Sequence, residues 1–428
     1  MSSEHEHSVL FAIPSGLSLG GVTTWAVQLA NHLARRGVAT GIIAHAPRAS
    51  DSRGGYTLDA AVRVFDLSHL PPMDECLGRS EVFAEDYRRA IDALPGTVVC
   101  LPAQMGDCHG LFAAETRARP GRIRVVGWAH LDSPYELRVL ERYAPIISRF
   151  VGVSRVLEDK LRAAFPVRTS HIARIPYGVE LSSPRAKARR GVLRVAYVGR
   201  LDEPVKRVGV LPLFAQELSR RGIAHVITVA GDGPAGPSLR LAARMTPTLR
   251  VLGALAPTAV GELLEESDVL VLPSRAEGLP LVLQEAMARG CVPVACAAAS
   301  GVAELIEEGL TGALAPDSDS LGELASNLAF AVSRALAIGI DGLGYAARER
   351  IVAGYDVVRC HDAMREVIAA AASDPPRAWP GDVEPAFTSA KVGGSGTVPH
   401  DGAERLRRTL AGLVGRRVLL YGAGRHTT

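Results

Sequence analysis

The sequence predicts an α/β protein made of two doubly wound halves that face a central cleft. Three observations predict it. Residues 9–14 read as a strand, SGLSLGG as a Gly-rich turn, 22–36 as a helix ended by Gly37, and 39–44 as a second strand. The same rhythm restarts with a strand at 193–198, a helix at 210–220 and a strand at 225–230. Finally, the apolar run VLVLP at 269–273 reads as a buried parallel strand, with a tight turn at Gly278 and Pro280 and a helix over 281–289 behind it. The loop between them then lies at a carboxyl edge, where open α/β sheets bind ligands.

Between these landmarks the apolar runs predict strands at 62–65, 97–101, 124–128 and 150–153, completing a first domain over 1–183. The polar, basic stretch SSPRAKARRG at 182–191 reads as an interdomain linker whose charges are solvated. In the second domain, 191–356, a short strand at 292–295 is followed by a turn before 302–307. Ser320 and Glu323 have capping-box spacing and start a helix running to about 337. A helix spans 357–372. Proline, glycine and serine then dominate 373–402, which predicts a flexible linker. The tail, 403–428, reads as a helix over 404–414 and a strand at 418–421 entering GAG, which leaves two readings open: the start of a truncated Rossmann unit, or an added strand that docks.

Composition narrows the function. Of 428 residues, 47% are hydrophobic and 22% charged, and a net charge of +3 gives no footprint for nucleic acid. The six cysteines form no CxxC pair, which suits reduced thiols. The start, MSSEHEHSVLFAIPSG, lacks the basic residues of a signal peptide, and no stretch approaches the span of a membrane helix. A cytoplasmic protein with at most peripheral membrane contact is expected.

The chemistry-bearing residues gather at predicted strand ends. Glu277 sits in the loop after VLVLP, and Glu285 in the opening turns of the next helix. Both carboxylates can accept hydrogen bonds from hydroxyls, and the backbone around Gly278, Leu279, Pro280 and Leu281 lies at a helix start suited to phosphate. In YVGRLDEPVKR, Arg200 follows a strand and Lys206 stands six residues on; two cations there can hold a diphosphate and stabilise its departure. Arg207 is a weaker candidate. Gly231 and Gly233 of GDGP allow a ligand close to a strand end. In the first half, Gly20 and Gly21 precede a helix start, and His130 of WAHLDSP follows a predicted strand, with Asp132 available to orient it or an acceptor. Asp317 and Asp319 form a DxD string, which helix-start polarity explains better than a metal; no His or Cys cluster has zinc spacing, and no metal is expected.

The stretch SRAEGLPLVLQEAMARGCVPVA closely resembles the signature of family 4 glycosyltransferases, retaining enzymes of the GT-B fold. The likeness extends over 9 to about 372. It implies that Glu277 touches a donor hexose, Glu285 a nucleotide ribose, and Arg200 with Lys206 the donor diphosphate. It implies that Gly231 and Gly233 line the nucleotide pocket, with the segment around Gly253 at the position that often holds the base. Across the cleft, Gly21 would face the donor phosphates and His130 the reacting end of the sugar, in an acceptor-side domain that receives helix 357–372 as a crossover. In IPYGV, Tyr177 stands where asparagine is frequent in the family. The implied activity is transfer of a hexose from a nucleotide-diphosphate sugar, as co-substrate, to a hydroxyl acceptor, with retention and without a cofactor. Two rivals remain on sequence: a dinucleotide-dependent oxidoreductase, which lacks an intact GxGxxG, and a catalytically decayed sugar-nucleotide-binding protein.

Overall fold

The computed structural model describes residues 7–48, 55–76, 80–103, 105–181, 191–203, 205–297, 301–381 and 383–385. In the first half the elements run β1 (His7–Ile13), α1 (Gly21–Arg35), β2 (Thr40–His45), β3 (Val62–Leu67), α2 (Ala84–Asp92), β4 (Thr97–Pro102) and α3 (Gly106–Ala118). They continue with β5 (Ile123–Ala129), α4 (Pro134–Tyr143), β6 (Ile147–Gly152), α5 (Arg155–Ala164) and β7 (Ile172–Arg174). The second half opens with β8 (Leu193–Val198), α6 (Val210–Arg220), β9 (His225–Ala230), α7 (Gly236–Arg244), β10 (Leu249–Gly253) and α8 (Pro257–Glu266). After these come β11 (Val269–Leu272), α9 (Leu281–Ala288), β12 (Val292–Cys296), α10 (Val302–Leu305), β13 (Ala313–Ala315), α11 (Leu321–Ile338), α12 (Ile340–Gly354) and α13 (Val357–Ser373).

The strands form two parallel sheets, ordered β3-β2-β1-β4-β5-β6-β7 and β10-β9-β8-β11-β12-β13. Strand addition reverses direction between β1 and β4 and again between β8 and β11. These are the switch points where helices splay to opposite faces and leave a crevice at the carboxyl edge. In the second sheet, Val269 sits opposite Val195 on one side and Val292 on the other, and all three are buried. Helices cover both faces of such a sheet, so β11 and β12 are apolar throughout.

The two halves are tied where the chain crosses between them. Val179 and Asp356 form a parallel bridge, with the Val179 amide donating to the Tyr355 carbonyl at 2.9 Å. Asp356 then caps α13 by accepting from the Arg359 amide at 3.0 Å. α13 lies against β1, β4, β5 and α1 of the first half, and its Asp362 bonds His32 and Arg36 at 3.0 and 3.1 Å.

Two expectations need correction. The flexible linker expected from 373 does not begin there, because Trp379 is buried against the first half beside the Tyr143 ring, at 5.2 Å between centroids. The proline-rich backbone makes few hydrogen bonds of its own, and arginine side chains supply the donors. Arg124 bonds the Asp374 carbonyl at 2.8 Å and Arg142 the Glu384 carbonyl at 2.9 Å. The Trp379 indole closes the turn onto the Val383 carbonyl at 2.7 Å. Second, α11 is long and apolar enough to pass as a membrane span by length and composition. Its Leu324, Leu328, Val332 and Ala335 are buried in the core of the second half instead. The linker at 182–190, the rest of the stretch expected to be flexible and the tail at 403–428 lie outside the described residues.

Candidate active site

The loop after β8 begins the site. Tyr197 is buried and donates its hydroxyl to the Arg200 carbonyl at 2.9 Å, bending the chain immediately beyond the strand. Asp202 then accepts from the amides of Val205 and Lys206 at 3.2 and 3.1 Å, which turns the chain back toward the cleft. This places the Lys206 ammonium 2.6 Å from Glu277 Oε1, across the β8/β11 switch point. The loops are laced together by backbone as well, Arg275 donating to the Val205 carbonyl at 2.8 Å. Arg200 is more exposed, its guanidinium 3.7 Å from the Asp202 carboxylate.

Gly231 and Gly233 shape the floor. Both adopt positive φ, 148° and 150°, and a Cβ on Gly231 would collide with the Gly199 carbonyl oxygen. Their closeness lets the ends of β8, β9 and β10 interlock: Gly199 donates to Ala230, Gly231 to Gly253 and Leu201 to Asp232, at 2.8–3.0 Å.

Arg207 turns out to be structural. It is buried, takes a left-handed φ of 51°, and bonds the Pro273 carbonyl at 2.8 Å and Asp317 at 2.6 Å. Asp317 thus fastens the loop that carries Lys206, while Asp319 pairs with Arg275 at 2.6 Å. Ser320 accepts from the Glu323 amide and caps α11, as its spacing predicts.

α9 starts at Leu281, behind Pro280, with no side-chain cap and no acidic residue in its first turn. An uncapped helix start carries partial positive charge. Gly21, at the equally uncapped start of α1, faces it: a Cβ there would stand 3.7 Å from the Leu281 Cβ. Glu285 is half-buried one turn further along. Burial raises its carboxyl to about 7, opposed by Arg289 and assisted by the charge of Glu180. Glu285 also acts on Tyr56, whose hydroxyl meets Thr24 at 3.0 Å and the Gly20 amide at 3.3 Å.

His130 enters from the end of β5. Its carbonyl lies against Gly278, where a Cβ would collide with it, so the Glu277 loop abuts the first half directly. Its amide and that of Leu131 donate to Glu136 at 2.7 and 2.8 Å. Its Nδ1 lies 2.6 Å from the Tyr177 hydroxyl, and its ring is buried and held neutral, its pKa lowered to about 3 by burial and by His109. Asp132, the expected orienter, is instead paired with Lys160, because α5 presents that lysine at the loop. The fold therefore brings Lys206 to Glu277, Gly278 to His130 and Gly21 to Leu281, with Arg200 at the same strand edge. Sequence reasoning missed Glu136 and Tyr56. Glu136 was findable: SPYE at 133–136 is a capping box with proline at the first helical position, and Ser133 accepts from the Glu136 amide at 3.2 Å. Tyr56 has no local signature.

Known proteins share this organisation. The family model described as Glycosyltransferase Family 4 matches residues 19–183, and that described as Glycosyl transferases group 1 matches 193–333. A D-inositol 3-phosphate glycosyltransferase of Actinosynnema mirum is 26% identical over 82% of this chain and 95% of its own length. An alpha-D-kanosaminyltransferase of Streptomyces kanamyceticus is 31% identical over 37% of this chain and 44% of its own. Among solved structures, sucrose-phosphate synthase from Thermosynechococcus elongatus superimposes with a TM-score of 0.67 at 18% identity, covering 86% of this chain and 100% of that one. Pneumococcal O-GlcNAc transferase GtfA, solved with UDP and GlcNAc, reaches 0.70 at 11% identity over the same shares. Two parallel-sheet domains with this cleft define the GT-B architecture. Within that class, the chain belongs to the family 4, or group 1, glycosyltransferases.

Proposed function

We propose that the protein transfers a hexose from a nucleotide-diphosphate sugar to a hydroxyl acceptor, retaining the anomeric configuration. The observation that carries this reading is the Lys206–Glu277 pair at 2.6 Å on the β8/β11 switch point, beside an uncapped helix start. Glu277 is a carboxylate able to accept from sugar hydroxyls. Lys206, Arg200 and the start of α9 supply positive charge for the diphosphate, strengthening as the leaving group gains charge. Solved relatives with the same fold were captured with UDP and a sugar, among them Anabaena HepE with UDP-glucose, which supports a nucleotide-sugar donor.

Glu285 would accept from the ribose hydroxyls, with Gly231 and Gly233 allowing the nucleotide close to the floor. Gly21 would approach the phosphates from the other side. Glu277 is already paired with a cation, which leaves it suited to hold the sugar and poorly suited to attack it. Front-face departure and attack fit that arrangement. Two fixed cations can do at the diphosphate what a divalent ion does elsewhere, so the reaction is proposed to need no metal and no cofactor. A cytoplasmic location, with at most peripheral membrane contact, belongs to the same reading.

The test is to screen UDP, GDP, dTDP and their sugars for protection against thermal unfolding, then to determine the product linkage by NMR with and without EDTA. Retained configuration, undiminished by chelator, is expected. An inverted product rejects the front-face reading, loss of activity with chelator rejects metal independence, and protection by nicotinamide dinucleotides alone rejects the transferase donor site.

A further inference from the structure

We infer that Tyr177 is a positioning residue that fixes His130 as the tautomer protonated on Nε2, making the imidazole a hydrogen-bond donor toward the donor sugar. This rests on the cleft being the sugar site and goes beyond it in assigning the proton. Tyr177 and His130 come from different strand ends, after β7 and β5, and both are buried, at 4% relative exposure each. The hydroxyl and Nδ1 are 2.6 Å apart, close enough that one must donate to the other.

Counting buried polar atoms decides which. With the proton on Nδ1, the ring donates to the tyrosine oxygen. Two groups then need further partners: the phenol O–H and the lone pair of Nε2, which is buried and has no hydrogen-bond partner. With the proton on Nε2, the phenol donates to Nδ1, and only the Nε2–H is left over. Each unmade buried bond costs roughly 1–3 kcal/mol, so the second arrangement is favoured. A charged imidazolium would satisfy neither the burial nor the neighbours, and the ring stays neutral, as burial dictates. Tyr177 keeps its proton, since burial and the charges of Glu136 and Glu277 raise its pKa.

The surroundings leave the ring little freedom to invert. Glu136 holds the amides of His130 and Leu131, the Trp128 ring lies 3.9 Å from the imidazole between centroids, and Gly278 closes on the His130 carbonyl. Gly278, next in sequence to Glu277, lies against the His130 backbone, and the Glu277 charge is felt at the Tyr177 hydroxyl, so the pair lies within electrostatic range of the carboxylate proposed to hold the hexose. A sugar hydroxyl oxygen accepting from Nε2–H would complete the one unmet bond. On this assignment His130 is a donor and cannot serve as a base through Nε2.

The experiment uses full-length protein labelled with nitrogen-15 at histidine, the His130 resonances being assigned by their loss in His130→Gln. The neutral Nε2–H pattern is expected for His130 across pH 5–8 in the wild type. Tyr177→Phe is expected to shift it to a mixture of tautomers and to lower kcat about tenfold, with a smaller change in the KM for donor. An Nδ1–H pattern or a titrating imidazolium in the wild type would overturn the assignment, and that measurement stands even if Tyr177→Phe does not fold. A Tyr177→Phe protein with unchanged tautomer and rate would also overturn it. Failure of every sugar nucleotide to protect the wild type would strike the functional reading separately, because the tautomer is read without substrate.

Discussion

Gly278 and His130 meet backbone to backbone: a Cβ on Gly278 would collide with the His130 carbonyl oxygen and stand 3.1 Å from the Leu131 Cα. No side chain can move aside there, so the contact sets how closely the Glu277 loop approaches the first half. Gly278→Ala should therefore displace Glu277 from His130 while both sheets stay intact. Transfer is expected to fall at least about 100-fold, since a displacement near 1 Å at a reacting centre costs that much. Near-normal turnover in a variant with a native circular dichroism spectrum would show that the contact is dispensable.

Lys206 and Glu277 should be coupled in stability as well as activity. Their side chains are 24% and 10% exposed, so Lys206→Ala removes a closely paired cation from a largely buried carboxylate. That should cost about 2 kcal/mol, and the Lys206→Ala, Glu277→Ala double variant should recover part of it. Lys206→Ala, Glu277→Ala and the double variant should all lose transfer by orders of magnitude. Denaturant titration of the full cycle tests this, and additive stability losses would mean the pair is not coupled.

Glu285 gives the donor site a pH dependence. Its carboxyl is raised from 4.5 to about 7, first by burial, against the lowering effect of Arg289. A carboxyl raised on folding contributes stability below its unfolded value and loses that contribution as pH rises through its folded value. The unliganded protein should thus lose stability between about pH 4.5 and about pH 7, and Glu285→Gln should flatten that fall. The ionised form accepts from both ribose hydroxyls, so donor affinity should rise between about pH 6 and about pH 8. Calorimetry across that range checks the sign; affinity independent of pH in wild type would remove Glu285 from the ribose.

Trp379 should matter to the first half although it lies beyond α13. Its side chain is buried beside Tyr143, and its amide donates to Thr116 at 3.2 Å. Trp379→Ala should destabilise by about 3 kcal/mol. Truncation after 385 should leave donor binding intact, whereas truncation at 373 should lower the melting temperature. Equal melting temperatures for the two truncations would show that the packed segment contributes nothing.

The sequence by itself determined the two doubly wound sheets and most strand positions, because strands covered on both faces must be apolar and the turns between them need glycine and proline. β8, α6 and β9 fall on the residues the pattern predicts. It also marked Glu277, Lys206 and His130, since loops at strand carboxyl edges are short and locally readable. α7, β10, α8 and α12 escaped it: their faces are partly polar, and Leu252 of β10 and Tyr345 of α12 are exposed. Only the tertiary structure decided partners. Asp132 went to Lys160 while His130 found Tyr177, 47 residues away, and Asp317 went to Arg207, 110 residues away. Trp379 found the first half for the same reason. A side chain's local signal states what chemistry it carries; which group satisfies it depends on which elements packing brings within 3 Å.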